Sequence, residues 1–270
     1  MLASFLVFLK PRRTAPLGRT VGRSLHALLL NMIRQVDPAL SEELHADTRS
    51  KPFTVSMLQG RLGRDGGRAA ALPTEVYRVR YTVMTDPVFR SLSQILLGKV
   101  LYREPVIIDG APYDITDISV EASRSDGWAG LSSYEQVMEG ARPEPRITLE
   151  FASPTTFRQG EVNLLFPLPA SVFGSYWRRW QAFAPLKLDD EALLAFVEES
   201  VVVERYDLAT RIVSYGEHQF NGCVGTCQYR VLGNNPAYAR QLNALADFAL
   251  FCGTGQKTTQ GLGQTRRIFR

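Results

Sequence analysis

The sequence predicts an α+β protein built from tandem ferredoxin-like (RRM-like) domains packed side by side. Three observations predict it. Apolar residues alternate with a period of two in some segments and recur at three- and four-residue spacing in others, the signatures of half-buried strands and amphipathic helices. These segments follow one another as β-α-β-β-α-β, the split βαβ order, and the pattern runs twice along the 270 residues. A polar stretch rich in Ser, Gly, Pro and Glu, residues 121–145, separates the two runs. A hydrophobic content of 45% is enough to fill two cores. The expected boundaries are 1–125 for the first domain, 126–145 for a linker and 146–270 for the second.

The run Leu2 to Leu9 has no basic residue before it and is too short to cross a bilayer, so it reads as an opening strand, Ala3 to Lys10, and not as a signal peptide. The loop Pro11 to Arg19 follows, carrying Arg12, Arg13 and Arg19 without apolar neighbours to pack on. Leu25, Leu28, Leu29, Met32, Ile33 and Val36 then fall on one stripe of a helix, and Asp37-Pro38 opens a second short helical turn, Ala39 to His45. Lys51 to Ser56 reads as a strand with its proline confined to the first positions, and Gly60 to Ala71, rich in Gly and Arg, as a mobile hairpin tip that a bound partner could order. Glu75 to Met84 is a strand, Asp86-Pro87 opens a helix through Leu97, and Val106 to Val120 holds further strand. Within the joint, Ser133 to Met138 has the makings of a short helix.

The second run starts with a strand at Ile147 to Ala152 and a turn at Ser153 to Phe157. Helices follow at Ser171 to Phe183 and Asp189 to Glu198, then long strands at Val201 to Tyr215 and Gly222 to Leu232. Pro236 to Cys252 is the last helix, with Tyr238, Leu242, Leu245 and Ala249 inward, and Gln264 to Phe269 the closing strand.

Of 31 Lys and Arg residues only five are lysines (Lys10, Lys51, Lys99, Lys187, Lys257), which leaves 26 arginines. The planar guanidinium binds phosphate in a bidentate way and stacks on bases, so this bias fits an RNA partner better than a membrane; a GC-rich genome gives the same bias. Cys223, Cys227 and Cys252 lie in apolar segments without disulfide spacing, which suits a reducing cytoplasm. Cys223 and Cys227 share a strand face without a histidine pair nearby, so they read as buried and no metal or other cofactor is expected. Adjacent carboxylates such as Glu42-Glu43 and Asp189-Asp190 read as solvated helix positions. Trp177-Arg178-Arg179-Trp180 offers rings for base stacking, yet its helical spacing makes one tryptophan core, and the structural reading is preferred.

The densest chemistry is Cys252 to Arg266, where Gly253, Gly255, Gly261 and Gly263 alternate with Gln256, Lys257, Thr258, Thr259 and Gln264. Bare main-chain amides, hydroxyls and one ammonium suit phosphate oxygens. A P-loop needs Gly-Lys-Ser/Thr after a strand, and a dinucleotide fingerprint needs a third glycine at Thr258; both fail on spacing and context. Gly-x-Gly-x-Lys-Thr, a gap and Gly-x-Gly-Gln after a helix resembles the C-terminal signature of the CRISPR-associated endoribonucleases of the RAMP superfamily that cut precursor CRISPR RNA within its repeats. Leu44-His45 with Lys51-Pro52-Phe53-Thr54, Ser153 to Phe157, and Gly222-x-x-Gly225 resemble further stretches of that family in the same order. The resemblance implies the same tandem layout, proton transfer by His45, stabilisation of phosphate charge by Lys51, and 2′-hydroxyl attack giving 2′,3′-cyclic phosphate and 5′-hydroxyl ends.

A histidine titrates near neutrality and can serve either proton transfer of such a reaction. His45 ends a helical turn, where a charged imidazole also suits the helix dipole. His26 lies off the apolar stripe of the first helix and is either a second proton carrier or a solvated residue. The family's tyrosine on that helix is missing from Leu28 to Asn31, which leaves His26 as its candidate substitute. His218 falls in a turn, placed for solvent or RNA. Arg12, Arg13, Arg19, Arg23 and the Arg61, Arg64, Arg68 group join the glycine loop as expected phosphate contacts. The expected partner is precursor repeat RNA, with an effector complex or a homodimer as further possibilities and no membrane. A non-catalytic RNA-binding subunit of such a complex is the alternative function.

Overall fold

The computed structural model describes residues 1–46, 50–188, 191–215 and 218–269. They form two compact units, one of Met1–Leu131 together with Thr259–Gly261, the other beginning at Ser132.

The first unit opens with β1 (Leu2–Pro11), β2 (Ala15–Pro16), α1 (Val21–Val36), α2 (Pro38–His45) and β3 (Phe53–Val55). It continues with β4 (Gly63–Asp65), β5 (Arg68–Ala71), β6 (Tyr77–Val83), α3 (Asp86–Leu101), β7 (Val106–Ile108) and β8 (Ala111–Ser119). The main sheet has the order β3-β6-β1-β8-β7, with β9 (Gly130–Ser132) added beside β1. Strands two, three, one and four of the β-α-β-β-α-β series thus lie side by side, which is the ferredoxin-like order. Antiparallel register sets Phe5 opposite Tyr81, Val7 opposite Val79 and Leu9 opposite Tyr77, so alternate residues share one face. Leu25, Leu29, Met32 and Ile33 of α1 and Val88, Leu92 and Leu96 of α3 close over that face in a single core. The stripe read from sequence is therefore buried from Leu25 to Ile33, while Val36 at the helix end is half-exposed.

A small sheet of order β2-β5-β4 stands apart from it. Its β4-β5 turn is Gly66-Gly67, each at positive φ (53° and 81°), as a tight hairpin requires. The pairing of β2 with β5 sets the loop that follows β1 beside this hairpin.

The second unit contains α4 (Tyr134–Gly140), β10 (Arg146–Thr155), β11 (Phe157–Gln159), β12 (Val162–Leu164), α5 (Pro169–Phe183) and α6 (Glu191–Ser200). After these come β13 (Val201–Tyr215), β14 (His218–Val231), α7 (Pro236–Cys252) and β15 (Thr265–Ile268). Its sheet order, β13-β14-β10-β15, repeats the two-three-one-four arrangement. The stretch expected as a linker holds α4, whose Ser133–Gln136 capping box starts a helix packed into this unit. Its Tyr134 ring meets Trp180 at 5.1 Å and Phe248 at 5.6 Å.

The turn expected at Ser153 to Phe157 is not there. β10 runs on to Thr155 through an irregular register with β14, and β11 pairs with β12. Gly222 permits this, because a Cβ there would come within 2.7 Å of the Thr155 nitrogen. Of the expected Asp189 to Glu198 helix, Asp189 and Asp190 lie outside the described residues. The three cysteines are buried and none is in a disulfide, and burial pushes the thiols of Cys223 and Cys227 up to about 12 and about 11. Among the described residues no helix is long and apolar enough to cross a membrane.

Candidate functional site

In the first unit Lys51 and His45 lie near enough to His26 for their charges to act on it. Asp37 caps α2 by accepting from the Leu40 amide at 2.9 Å, Leu40 and Leu44 are buried, and the Ser41 hydroxyl donates to the Leu30 carbonyl of α1 at 3.0 Å. These contacts fix the last turn of α2, where His45 is exposed. The Lys51 ammonium donates to the Ala46 carbonyl, closing the segment between α2 and β3. β3 is then held by its register with β6 and by the buried Thr54–Thr82 hydroxyl pair at 2.7 Å.

His26 is half-buried on α1. Its Nδ1 lies 3.1 Å from the Thr259 carbonyl oxygen, and its ring sits 5.5 Å from that of Phe53. A carbonyl oxygen only accepts, so this contact is a hydrogen bond only when Nδ1 carries a proton. Burial lowers the pKa of the imidazole, the Thr259 hydrogen bond opposes that, and the nearby charges of Lys51 and His45 lower it further. The balance favours the neutral ring, beside two groups whose positive charge disfavours its cation. Among the described residues no three His, Cys, Asp or Glu side chains gather in a way that could hold a metal ion.

In the second unit α7 ends at Gly253, whose φ of 64° turns the chain into the glycine loop. Gly255 and Gly263 also have positive φ, and a Cβ on them would lie 2.2 Å from the Thr156 oxygen and 2.0 Å from the Thr254 oxygen. The expectation of bare main-chain amides does not hold for most of the loop. Thr254, Gln256, Leu262 and Gly263 amides donate to the carbonyls of Gly263, Thr156, Lys257 and Pro154, and those of Gly255 and Gln264 to the hydroxyls of Ser175 and Ser153. The reason is the fold-back itself, since the positive-φ glycines bring the two arms of the loop into contact.

Thr254, Thr258, Leu262 and Gln264 are buried, while Gly255, Gln256, Lys257, Thr259 and Gln260 are half-exposed. Gln256 donates to Asn163 at 2.7 Å, and the Lys257 ammonium sits 4.8 Å over the Phe220 ring. A brace absent from the sequence reading lies under the loop. Arg179 of α5 donates to the carbonyls of Gly253 and Gly255 at 3.0 and 2.9 Å and to the hydroxyl of Thr258 at 3.0 Å. Tyr176 of the same helix shares a 2.6 Å hydrogen bond with Thr254.

The family profile described as CRISPR Cas6 N-terminal domain matches residues 1–139, and that described as CRISPR-associated endoribonuclease Cas6 matches residues 149–265. The chain belongs to the Cas6 family. A CRISPR-associated endoribonuclease Cas6 of Mycobacterium tuberculosis is 30% identical over 145 residues, a stretch covering 53% of this chain and 46% of that protein. The match thus spans less than half of that Cas6 relative. A Cas6 solved as a product complex superposes with a TM-score of 0.78 at 27% identity, over 99% of each chain. A second Cas6 product complex reaches 0.85 at 24% identity, over 99% of this chain and 100% of that one, and a Thermus thermophilus Cas6 reaches 0.73 at 24%, over 99% and 98%. The last two speak for the fold.

The arginines of this Cas6 chain divide by their partners. Arg12 is paired with Asp114 at 2.8 Å, and Arg13 donates to the Gly110 carbonyl at 3.4 Å. Arg19, Arg23 and Arg61 are exposed, and Arg64 and Arg68 are exposed on the β4-β5 hairpin. His218, expected in a turn, is the first residue of β14, and its side chain lies outside the described ones. Trp180 is core, fully buried with its indole donating to the Leu186 carbonyl at 2.7 Å. Arg179 is a residue that sequence reasoning missed, and the main-chain contact of Thr259 with His26 is one it did not foresee.

Proposed function

We propose that this Cas6 chain is a metal-independent endoribonuclease that cuts precursor CRISPR RNA within its repeats. The observation that carries the reading is the half-buried His26 with its Nδ1 3.1 Å from the Thr259 carbonyl oxygen, and with Lys51 and His45 close enough to act on its charge. The His26 Nε2 takes the proton of the 2′-hydroxyl, whose oxygen attacks the adjacent phosphorus. The phosphorus bond to the 5′-oxygen breaks, and that oxygen receives a proton from the His45 imidazolium. Lys51 stabilises the charge that builds on the phosphate oxygens. The products are a 2′,3′-cyclic phosphate and a 5′-hydroxyl.

The RNA partner is supported by the solved Cas6 relatives whose descriptions are a product complex and a substrate-mimic complex. The half-exposed rim of the glycine loop, residues 255–257, and the hairpin arginines Arg61, Arg64 and Arg68 are assigned to the phosphate chain. Gly253 and Gly263 act on the shape of the loop, and Thr258 and Gln264 support it from within.

A repeat RNA with a single 2′-deoxy sugar at the scissile position tests the chemistry. The unmodified RNA is expected to be cut in the presence of EDTA and the modified RNA spared. Cutting abolished by chelation and restored by a divalent ion would overturn the metal-independent mechanism. RNA that is bound and never cut would instead make the chain a non-catalytic subunit.

A further inference from the structure

Thr259, Gln260 and Gly261 follow the last helix in sequence yet pack as part of the first unit. Three contacts hold them there. Gly261 forms a parallel bridge with Ser56, the residue after β3. The Gln260 carbonyl lies against the first turn of α1, where a Cβ on Gly22 would come within 2.3 Å of its oxygen. The Thr259 carbonyl meets His26 Nδ1 at 3.1 Å. Glycine is a poor helix residue, about 1 kcal/mol worse than alanine. Its place at position 22 is explained by the close approach of this tripeptide.

We propose that the Thr259 main-chain carbonyl is the positioning group of His26, fixing its tautomer and ring direction so that Nε2 faces the RNA with its lone pair free. The inference rests on the endoribonuclease reading for the consequence, and on geometry alone for the cause. With the proton on Nε2, the Nδ1 lone pair would point at a carbonyl oxygen, an arrangement with no hydrogen bond and two lone pairs opposed. With the proton on Nδ1 the contact becomes a hydrogen bond and the outward nitrogen becomes the base. α1 holds the Cα of His26, Phe53 lies against its ring, and the carbonyl selects the proton position. An imidazole held in the wrong tautomer cannot accept a proton where the substrate presents it.

The test uses the full chain, with nitrogen NMR of the histidine rings and single-turnover cleavage of the host repeat RNA. The wild type is expected to carry the proton on Nδ1 of His26. Gly22→Ala, which drives a methyl into the Gln260 carbonyl, is expected to lose that tautomer and to cut about 10²-fold more slowly. Its RNA Kd is expected to change by less than about threefold, since binding and chemistry separate in such a measurement. Gly98→Ala is the control, because its Cβ would meet nothing within 4 Å; it is expected to match the wild type in all three readouts.

A wild-type ring protonated on Nε2 overturns the proposal and needs no variant to do so. A Gly22→Ala protein that keeps its cleavage rate overturns it as well. A wild type that cuts no repeat RNA sinks the endoribonuclease reading, while the tautomer still decides the positioning role.

Discussion

His26 and His45 stand on consecutive helices in different surroundings, one half-buried against a carbonyl and an aromatic ring, the other exposed at a helix end. For His26 the groups that face it are Lys51 and His45, both of which disfavour its cation, and the Thr259 carbonyl, which favours it. Burial decides the balance, and the pKa lies below the ordinary 6.5 of histidine. A base is active when deprotonated, so the acid limb of the single-turnover rate that His26 sets is expected to have an apparent pKa below 6.5. An acid limb of the single-turnover rate at or above that value, or one left in place by His26→Ala, would show that His26 is not the base. The same shift works on stability. The unfolded chain binds a proton at His26 before the folded chain does, so this residue lowers stability as pH falls from 6.5 toward the folded-state value. Sequence placed His26 off the apolar stripe and left it between solvent and catalysis. What covers it lies 233 residues later in the chain, and no local pattern carries that contact.

The elements themselves were largely legible. Strand and helix periods differ, and Pro, Asp and Gly punctuate them, so β1, α1, α3, β13 and α7 fall close to where the pattern puts them. Less legible were contacts set by pairing between distant segments, such as β10 continuing past Pro154 or the small β2-β5-β4 sheet. The glycine loop shows both sides. Its glycines announce close backbone approach, and the approach seen in the structure is that of the chain to itself, which no local pattern foretold. Arg179 decides how firmly the loop is held. Arg179→Met is expected to speed hydrogen exchange at the amides of Gly255, Gln256, Leu262 and Gly263 while the amides of α5 stay protected. Gly263→Ala forces a Cβ onto the Thr254 oxygen at positive φ and is expected to cost on the order of 1–3 kcal/mol of stability, read by denaturant unfolding. Loop exchange unchanged in Arg179→Met would mean that the serine, tyrosine and backbone contacts suffice without the guanidinium.

Across the whole molecule the net charge is only +4, so the attraction for a polyanion depends on which cations are left unneutralised. Arg12 has its charge engaged by Asp114, and Arg146 and Arg230 share Glu204. No such ion pair involves Arg64 or Arg68 among the described residues, and both stand exposed on one hairpin, with Asp65 between them in sequence and opposite Arg68 in register. Each phosphate contact releases condensed counterions, so the slope of log Kd against log salt counts contacts at about 0.7 to 0.9 apiece. Arg64→Ala and Arg68→Ala are therefore each expected to reduce the slope by roughly that amount and to weaken binding at low salt. Arg12→Ala is expected to change it by much less, because it also frees Asp114, whose charge repels the RNA that the arginine attracted. Measured for one repeat RNA between low and moderate salt, equal slopes for Arg64→Ala, Arg68→Ala and the wild type would remove the hairpin from the RNA path. A slope change in Arg12→Ala as large as theirs would show that the Asp114 pair opens when RNA binds.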